Sequence, residues 1–302
     1  MFDGGGLAPG ALVFRHAAEV LVDDCTFRHF AADSQGHPGA ISAASCADDI
    51  WVRRCRFEQG KYAIYWDGVH GGGLLDCRFG PKLRGCVLML TNNDMAFLSA
   101  SQRTCQYVVI QGCTFQGPGY APVQMTAANV LIQGNTATGQ FRDFLGQTGR
   151  GKSNVKPRLR YDGCGVQVLD NRAEHVETFV GLRGDVCRNT ALPPAAGTLI
   201  RGNRVGRAAA ILSLDPAANL DYFNRDYARI ENVTVAENRF GGTGPLRLRA
   251  NPDALERIRN VRIAGNTFAD ARAPVVTDLQ DKPVRAEGIV IQDNAIRSLP
   301  RR

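Results

Sequence analysis

Apolar and polar residues alternate along most of the chain, and one short pattern built on that alternation keeps returning. Alternating aliphatics lead into one or two polar residues, then Cys or Asn, one further residue, and often Phe. The first copy is Val20-Leu21-Val22-Asp23-Asp24-Cys25-Thr26-Phe27. Others centre on Cys55, Cys77, Cys113, Asn135, Asn171, Asn203, Asn238, Asn266 and Asn294. A period of two predicts strands with one buried face, and most copies lack the i, i+3, i+4, i+7 spacing of an amphipathic helix.

The steps between successive markers are 30, 22, 36, 22, 36, 32, 35, 28 and 28 residues. The two steps of 22 set the shortest unit, and the longer ones read as that unit plus loop insertions. At ~3.3 Å per residue the unit traces roughly 73 Å, the perimeter of one turn of a broad coil. Turns stacked ~4.8 Å apart let each strand pair in parallel with its counterpart in the next turn. The marker then falls at one corner, where Asn suits a tight bend and bonds to its neighbours along the stack. Cys at the same corner is expected to act as a small buried hydrophobe. Ten markers predict about ten turns, a rod on the order of 48 Å long.

A second strand follows each marker, as in Ala63-Ile64-Tyr65-Trp66-Asp67, Val87-Leu88-Met89-Leu90 and Pro122-Val123-Gln124-Met125-Thr126. One short helix is expected, around Asp253 to Arg259, too little for a two-layer α/β protein. The pattern predicts an all-β, single-stranded right-handed parallel β-helix forming one domain over residues 1–302. The rows Val261-Arg262-Ile263-Ala264-Gly265-Asn266-Thr267-Phe268 and Ile289-Val290-Ile291-Gln292-Asp293-Asn294 resemble repeats of the pectate-lyase-like superfamily. The resemblance runs from about Gly10 to Ser298. The opening Phe2-Asp3-Gly4-Gly5-Gly6 looks like the end of an earlier turn, so upstream turns or a cap are expected to be missing.

Composition narrows the class. Apolar residues at 44% and charged residues at 22% fit a folded core and exclude intrinsic disorder. No apolar run has the length of a membrane helix, and Met1-Phe2-Asp3-Gly4 does not begin a signal peptide. Lys plus Arg at 36 against Asp plus Glu at 29 gives +7, which admits an anionic partner such as an acidic glycan, a phospholipid surface or nucleic acid. Of the nine cysteines, Cys25, Cys55, Cys77 and Cys113 share the marker column. Without a Cys-x-x-Cys or a histidine at zinc spacing, metal is not expected. Free thiols are, with a disulfide among Cys46, Cys86, Cys105, Cys164 and Cys187 as the alternative.

The longer steps place insertions at 92–106, 149–165, 184–197, 215–232 and 251–260, after the second strand of their turns. Stacked on one side, they would wall a groove beside the strand face. Alternation points Tyr65, Asp67, Gln124, Arg183, Arg247 and Arg249 outward into it. His70 follows Asp67 by three residues and precedes Gly71-Gly72-Gly73, a run that would admit close approach of a ligand. An aromatic ring, a carboxylate and an imidazole together can stack a sugar and move a proton, so Tyr65 is a candidate platform and Asp67 with His70 a candidate catalytic pair. In the plainer reading Asp67 caps a turn and His70 is a loop histidine. Asp94 is a further loop acid. From Arg142 to Arg160 six basic residues face one acid, 6 − 1 = +5, which nominates Lys152, Lys156 and Arg158 for binding carboxylates.

The resemblance implies a polysaccharide-processing protein acting on an acidic, uronate-type glycan in an extracellular or periplasmic setting. Members of that superfamily use Arg or Lys as base with carboxylates holding calcium, several aspartates on neighbouring turns, or an Asp-Pro-His-Asp motif. None of these series is present; Asp48-Asp49 and Arg257-Ile258-Arg259 are isolated echoes. Calcium therefore rests on the resemblance alone, with no ligand cluster visible. Lyase, hydrolase and epimerase chemistry all stay open. The alternative is a non-catalytic carbohydrate-binding or surface-adhesion β-helix. Nucleic acid ranks lowest, because the basic residues lack an interleaved aromatic platform.

Overall fold

The computed structural model describes residues 1–31, 39–44, 47–90, 105–125, 127–147, 165–183, 195–215, 230–241, 246–248, 258–269, 275–277 and 289–296. Every regular element among them is a β-strand. The strands pair in parallel and wind into a right-handed β-helix. One face is a ten-stranded sheet, from Ala18–Asp23 at one end to Ile289–Gln292 at the other. A second face begins one residue after each marker, with strands such as Thr26–Arg28 and Thr114–Gln116. The third face holds Leu12–Arg15, Gly39–Ala44 and Val123–Met125. Long strands such as Arg56–Asp67 bend from the second face onto the third, with a register shift between Phe57 and Gln59. The helix expected near Asp253 is corrected where it can be seen. Ile258 and Arg259 start the strand Ile258–Ala264, because Ile258 is a buried rung paired with Ile230.

The corner between the first two faces explains the marker. The residue before each marker has left-handed backbone: Asp24, Arg54, Asp76, Gly112, Gly134, Asp170, Gly202, Glu237, Gly265 and Asp293 all have φ between 51° and 71°. Gly adopts this region without cost, and Asp tolerates it better than most residues. The bend turns the marker inward. Asn135, Asn171, Asn203, Asn238 and Asn266 are buried, and Asn294 is half-buried. Each Asn Oδ1 accepts the marker N–H of the preceding turn, while its Nδ2 donates to a carbonyl in the first-face strand of that turn; Asn135 N–H to Asn171 Oδ1 is 3.0 Å, and Asn171 Nδ2 to Ile132 O is 2.9 Å. Buried polar groups are thereby satisfied along the rod.

The cysteines do more than fill space. Cys25 N–H donates to Cys55 Sγ at 3.4 Å, and Cys55 Sγ–H reaches Val22 O at 3.7 Å, the same two roles in weaker sulfur form. Cys25, Cys55, Cys77, Cys86, Cys105 and Cys113 are all free thiols. Beside the ladder runs an aromatic column: Phe2, Phe27, Phe57, Phe79 and Phe115 stack with centroids 4.7–5.1 Å apart. Ala137 and Ala173 interrupt it in the next two turns, where Phe144 and Phe179 stack instead at 4.9 Å. Each buried ring contributes roughly 1.5–3 kcal/mol by leaving water.

Candidate functional site

The third face carries the sequence-predicted residues in two adjacent columns. Register runs Ser42–Tyr65–Leu88–Gln124–Gly146–Gly181–Ser213–Arg247 across successive strands. Tyr65, Gln124 and Arg247 therefore share one column. Asp67 lies two residues on from Tyr65 and pairs with Ala44 and Leu90, while Arg183 pairs with Asp215. Alternation holds, since Ile64 and Trp66 belong to the central core and Tyr65 packs with Leu88 and Tyr62 in a separate cluster. Asp94, Lys152, Lys156, Arg158 and Arg249 lie outside the described residues, as do Cys46, Cys164 and Cys187.

The ends of the insertions are described, and they share one corner. The chain leaves the third face after Leu90, Gln147, Arg183, Asp215 and Leu248. It resumes at Cys105, Gly165, Ala195, Ile230 and Ile258, at or just before strands of the ten-stranded sheet.

The outward face is covered where a platform was expected. Tyr65 is 6% exposed, Leu88 7% and Gln124 5%. The Tyr62 ring lies over Gly85, where an added Cβ would meet its Cε1 at 2.6 Å, and its hydroxyl reaches Gln124 Oε1 at 3.4 Å. Tyr65 likewise crosses Gly39, whose missing Cβ would meet the Tyr65 Cβ at 2.8 Å.

Asp67 closes the strand Arg56–Asp67 and His70 opens His70–Leu75, with Gly68 at φ 74° making the turn between them. Both side chains are half-buried, and Asp67 Oδ1 and His70 Nε2 are shut off from solvent. The glycine run that follows is required by the neighbouring strands. Gly71 and Gly72 have φ of 75° and 99°, and added Cβ atoms would strike Asp49 Oδ1 and the Ile50 backbone. At Gly73 an added Cβ would meet the Val109 carbonyl and, at 3.2 Å, the Trp51 ring. Among the described residues no group of three or more His, Cys, Asp and Glu side chains fits a metal, so calcium has no donor set there.

A further column was not among the sequence candidates, although each member directly follows a marker. On the second face, register runs Thr26–Arg56–Arg78–Thr114–Thr136–Arg172–Arg204–Arg239–Thr267. Its arginines are exposed and its threonines half-buried. An open trough of about 480 Å³ lies along Arg172, Arg204 and Arg239, and another of about 440 Å³ along Arg56 and Arg78.

Fold and columns together define a right-handed parallel β-helix with residues displayed in register along its faces. A comparison with protein-family models gives no match, and one with curated proteins gives none. Solved structures do match. The surface adhesin PfbA of Streptococcus pneumoniae is similar over 99% of this chain and 82% of its own, with a TM-score of 0.57 and 12% identity. A second PfbA crystal structure gives 0.60 and 11% identity over 98% of this chain and 75% of its own. The tailspike protein of E. coli bacteriophage HK620, in complex with a pentasaccharide, gives 0.50 and 15% identity over 97% of this chain and 56% of its own. At these identities the shared property is the fold.

Proposed function

We propose that the chain engages an acidic, uronate-type polysaccharide laid along its third face and processes it at Asp67 and His70. The observation that carries this reading is the register that unites Tyr65, Gln124 and Arg247 in one column with Asp67 in the next, beside the corner where the insertions enter. A polymer lying along the rod meets one register position every ~4.8 Å. Asp67 and His70 would exchange a proton with the sugar, Gln124 would hydrogen-bond to it, and the arginines would clamp carboxylates with paired donors. Lys152, Lys156 and Arg158 belong to the same edge in this reading. Pectate-lyase-like lyase, hydrolase and epimerase reactions are its chemical forms. The pentasaccharide held by the HK620 tailspike supports a glycan partner.

Burial favours a second reading, non-catalytic adhesion. Asp67 Oδ1 and His70 Nε2 are closed off, which narrows the routes for proton transfer and leaves adhesion unaffected, and PfbA is a surface adhesin. A panel of uronate polysaccharides separates the two. Release of reducing ends or unsaturated uronates, lost in Asp67→Asn and His70→Ala, supports processing. Binding without turnover supports adhesion. Neither binding nor turnover on any uronate polymer overturns both.

A further inference from the structure

We propose that the arginine–threonine column of the second face is a separate binding site for a linear anionic glycan, gripped through its carboxylate or sulfate groups. The inference rests on the acidic-glycan reading above but places a ligand on a different face.

Arg172, Arg204 and Arg239 are direct register partners on three consecutive strands. Parallel neighbours stand ~4.8 Å apart, and like charges directly opposite each other destabilise a sheet. Alternating Arg with Glu along this column would have relieved that repulsion. Instead, positions on nine successive strands hold only Arg or Thr, side chains that all donate hydrogen bonds. Among the described residues none of these three arginines forms an ion pair. The acid lining their trough, Glu174, is already engaged: its Oε2 accepts the Gly139 N–H at 2.9 Å.

The trough floor is kept bare for a stacking reason. An added Cβ at Gly206 would meet the Glu174 carbonyl at 2.7 Å, and one at Gly241 would strike the Gly206 carbonyl. The trough is thus open beside Arg204 and Arg239, while beside Arg172 the same position holds Glu174, and the three guanidiniums stand one turn apart. Each guanidinium presents a planar fork matched to a carboxylate or sulfate. Arg56 and Arg78 line a second trough with Gly80, and Glu58 lines it too. Nucleic acid suits the site less well, because Phe240, the aromatic residue along this trough, is buried in the core and leaves no exposed ring to stack bases.

The test is equilibrium binding of the full chain to polygalacturonate and dextran sulfate, with neutral dextran and a single-stranded oligonucleotide as comparators. Four proteins are compared: the parent chain, Arg172→Gln/Arg204→Gln/Arg239→Gln, Arg201→Gln/Arg259→Gln/Arg262→Gln as a charge-matched control on the ten-stranded sheet, and Lys152→Gln/Lys156→Gln/Arg158→Gln. The first triple variant should lose at least about tenfold in polyanion affinity, while the control stays near the parent. Its melting temperature should fall no further than the control's, since like-charge repulsion is relieved as stem packing is lost; a melt well below the control's would make the column structural and overturn the inference. Equal losses in column and control variants overturn it as mere net charge. Oligonucleotide binding with the same arginine dependence overturns the glycan assignment. Loss confined to the lysine triple sinks this site and leaves the third-face reading standing. Loss confined to the arginine triple upholds this site and removes the third face.

Discussion

The Cys113 N–H donates to Asn135 Oδ1 at 2.9 Å, and at this bond the corner ladder changes from thiols to amides. On one side Cys113 Sγ–H reaches Leu74 O at 3.7 Å; on the other Asn135 Nδ2 reaches Ile110 O at 2.9 Å. The positions are equivalent, but an amide carries a full acceptor and two donors where a thiol carries one weak one of each. The Asn half of the ladder is thus the better bonded.

Asn171→Leu should be among the most damaging single changes in the rod. It strips the Asn135 N–H of its acceptor, one of the two Asn135 Nδ2 hydrogens of its partner and Ile132 O of its side-chain donor, while Asn135 Nδ2 keeps its bond to Ile110 O. Each buried group left unsatisfied costs about 1–3 kcal/mol. Urea denaturation should show a large drop in midpoint, and a shift no greater than that of a surface substitution would mean the ladder is ornamental.

Replacing a ladder thiol by the amide should be tolerated. Cys113→Asn gives Cys77 N–H an amide oxygen to bond and joins the chain of Asn135. The expected result is equal or greater thermal stability, whereas Cys113→Leu should lose stability.

Stability should also fall at alkaline pH. The Cys77 thiol is pushed up from 9.0 to about 12, first by its contact with Cys113 and then by burial, against a lowering contact with Cys55. Cys55 is raised as well, chiefly by its contact with Cys77. An unfolded chain loses these protons first, so the folded state binds more protons above pH 9.0 and its advantage shrinks as pH rises towards 12. Denaturant midpoints across that window should decline less steeply in Cys77→Asn. At neutral pH both thiols should resist alkylation in the native protein and react once it is unfolded.

The left-handed column at the start of the ten-stranded sheet yields a further test. Glu19, Asp49, Gly71, Tyr107, Asn129, Gly197, Asn232 and Asn260 all have φ between 49° and 82°. Tyr107 is the bulky exception and is 63% exposed. Left-handed backbone costs a residue with a side chain roughly 1–2 kcal/mol. Tyr107→Gly should therefore cost little or stabilise, while Gly71→Val, which would collide with Asp49, should be severely destabilising in a thermal melt.

Tyr65→Ala should weaken the fold by about 2–4 kcal/mol, because the ring is buried against Leu88 and Tyr62. Tyr65→Phe keeps the packing and removes only the hydroxyl. If Tyr65→Phe is stable yet loses uronate binding, the hydroxyl touches ligand; if binding is kept, the hydroxyl makes no ligand contact.

Period-two alternation and the recurring Cys or Asn were enough to read the fold from sequence, because both are local consequences of one strand and one corner. Alternation also placed Tyr65 and Asp67 on the outer side of their strand, as period two must. Three things depended on how the turns stack. Tyr65 faces outward and is still buried, packed with Tyr62 and Leu88. Gly71-Gly72-Gly73 lacks side chains because Asp49, Ile50 and Val109 on adjoining turns fill that space. The arginine–threonine column exists only once Arg172, Arg204 and Arg239, 32 and 35 residues apart, come into register. The markers that precede them already give that register in the sequence, but their side-by-side spacing and the trough beside them come only from parallel hydrogen bonding between turns.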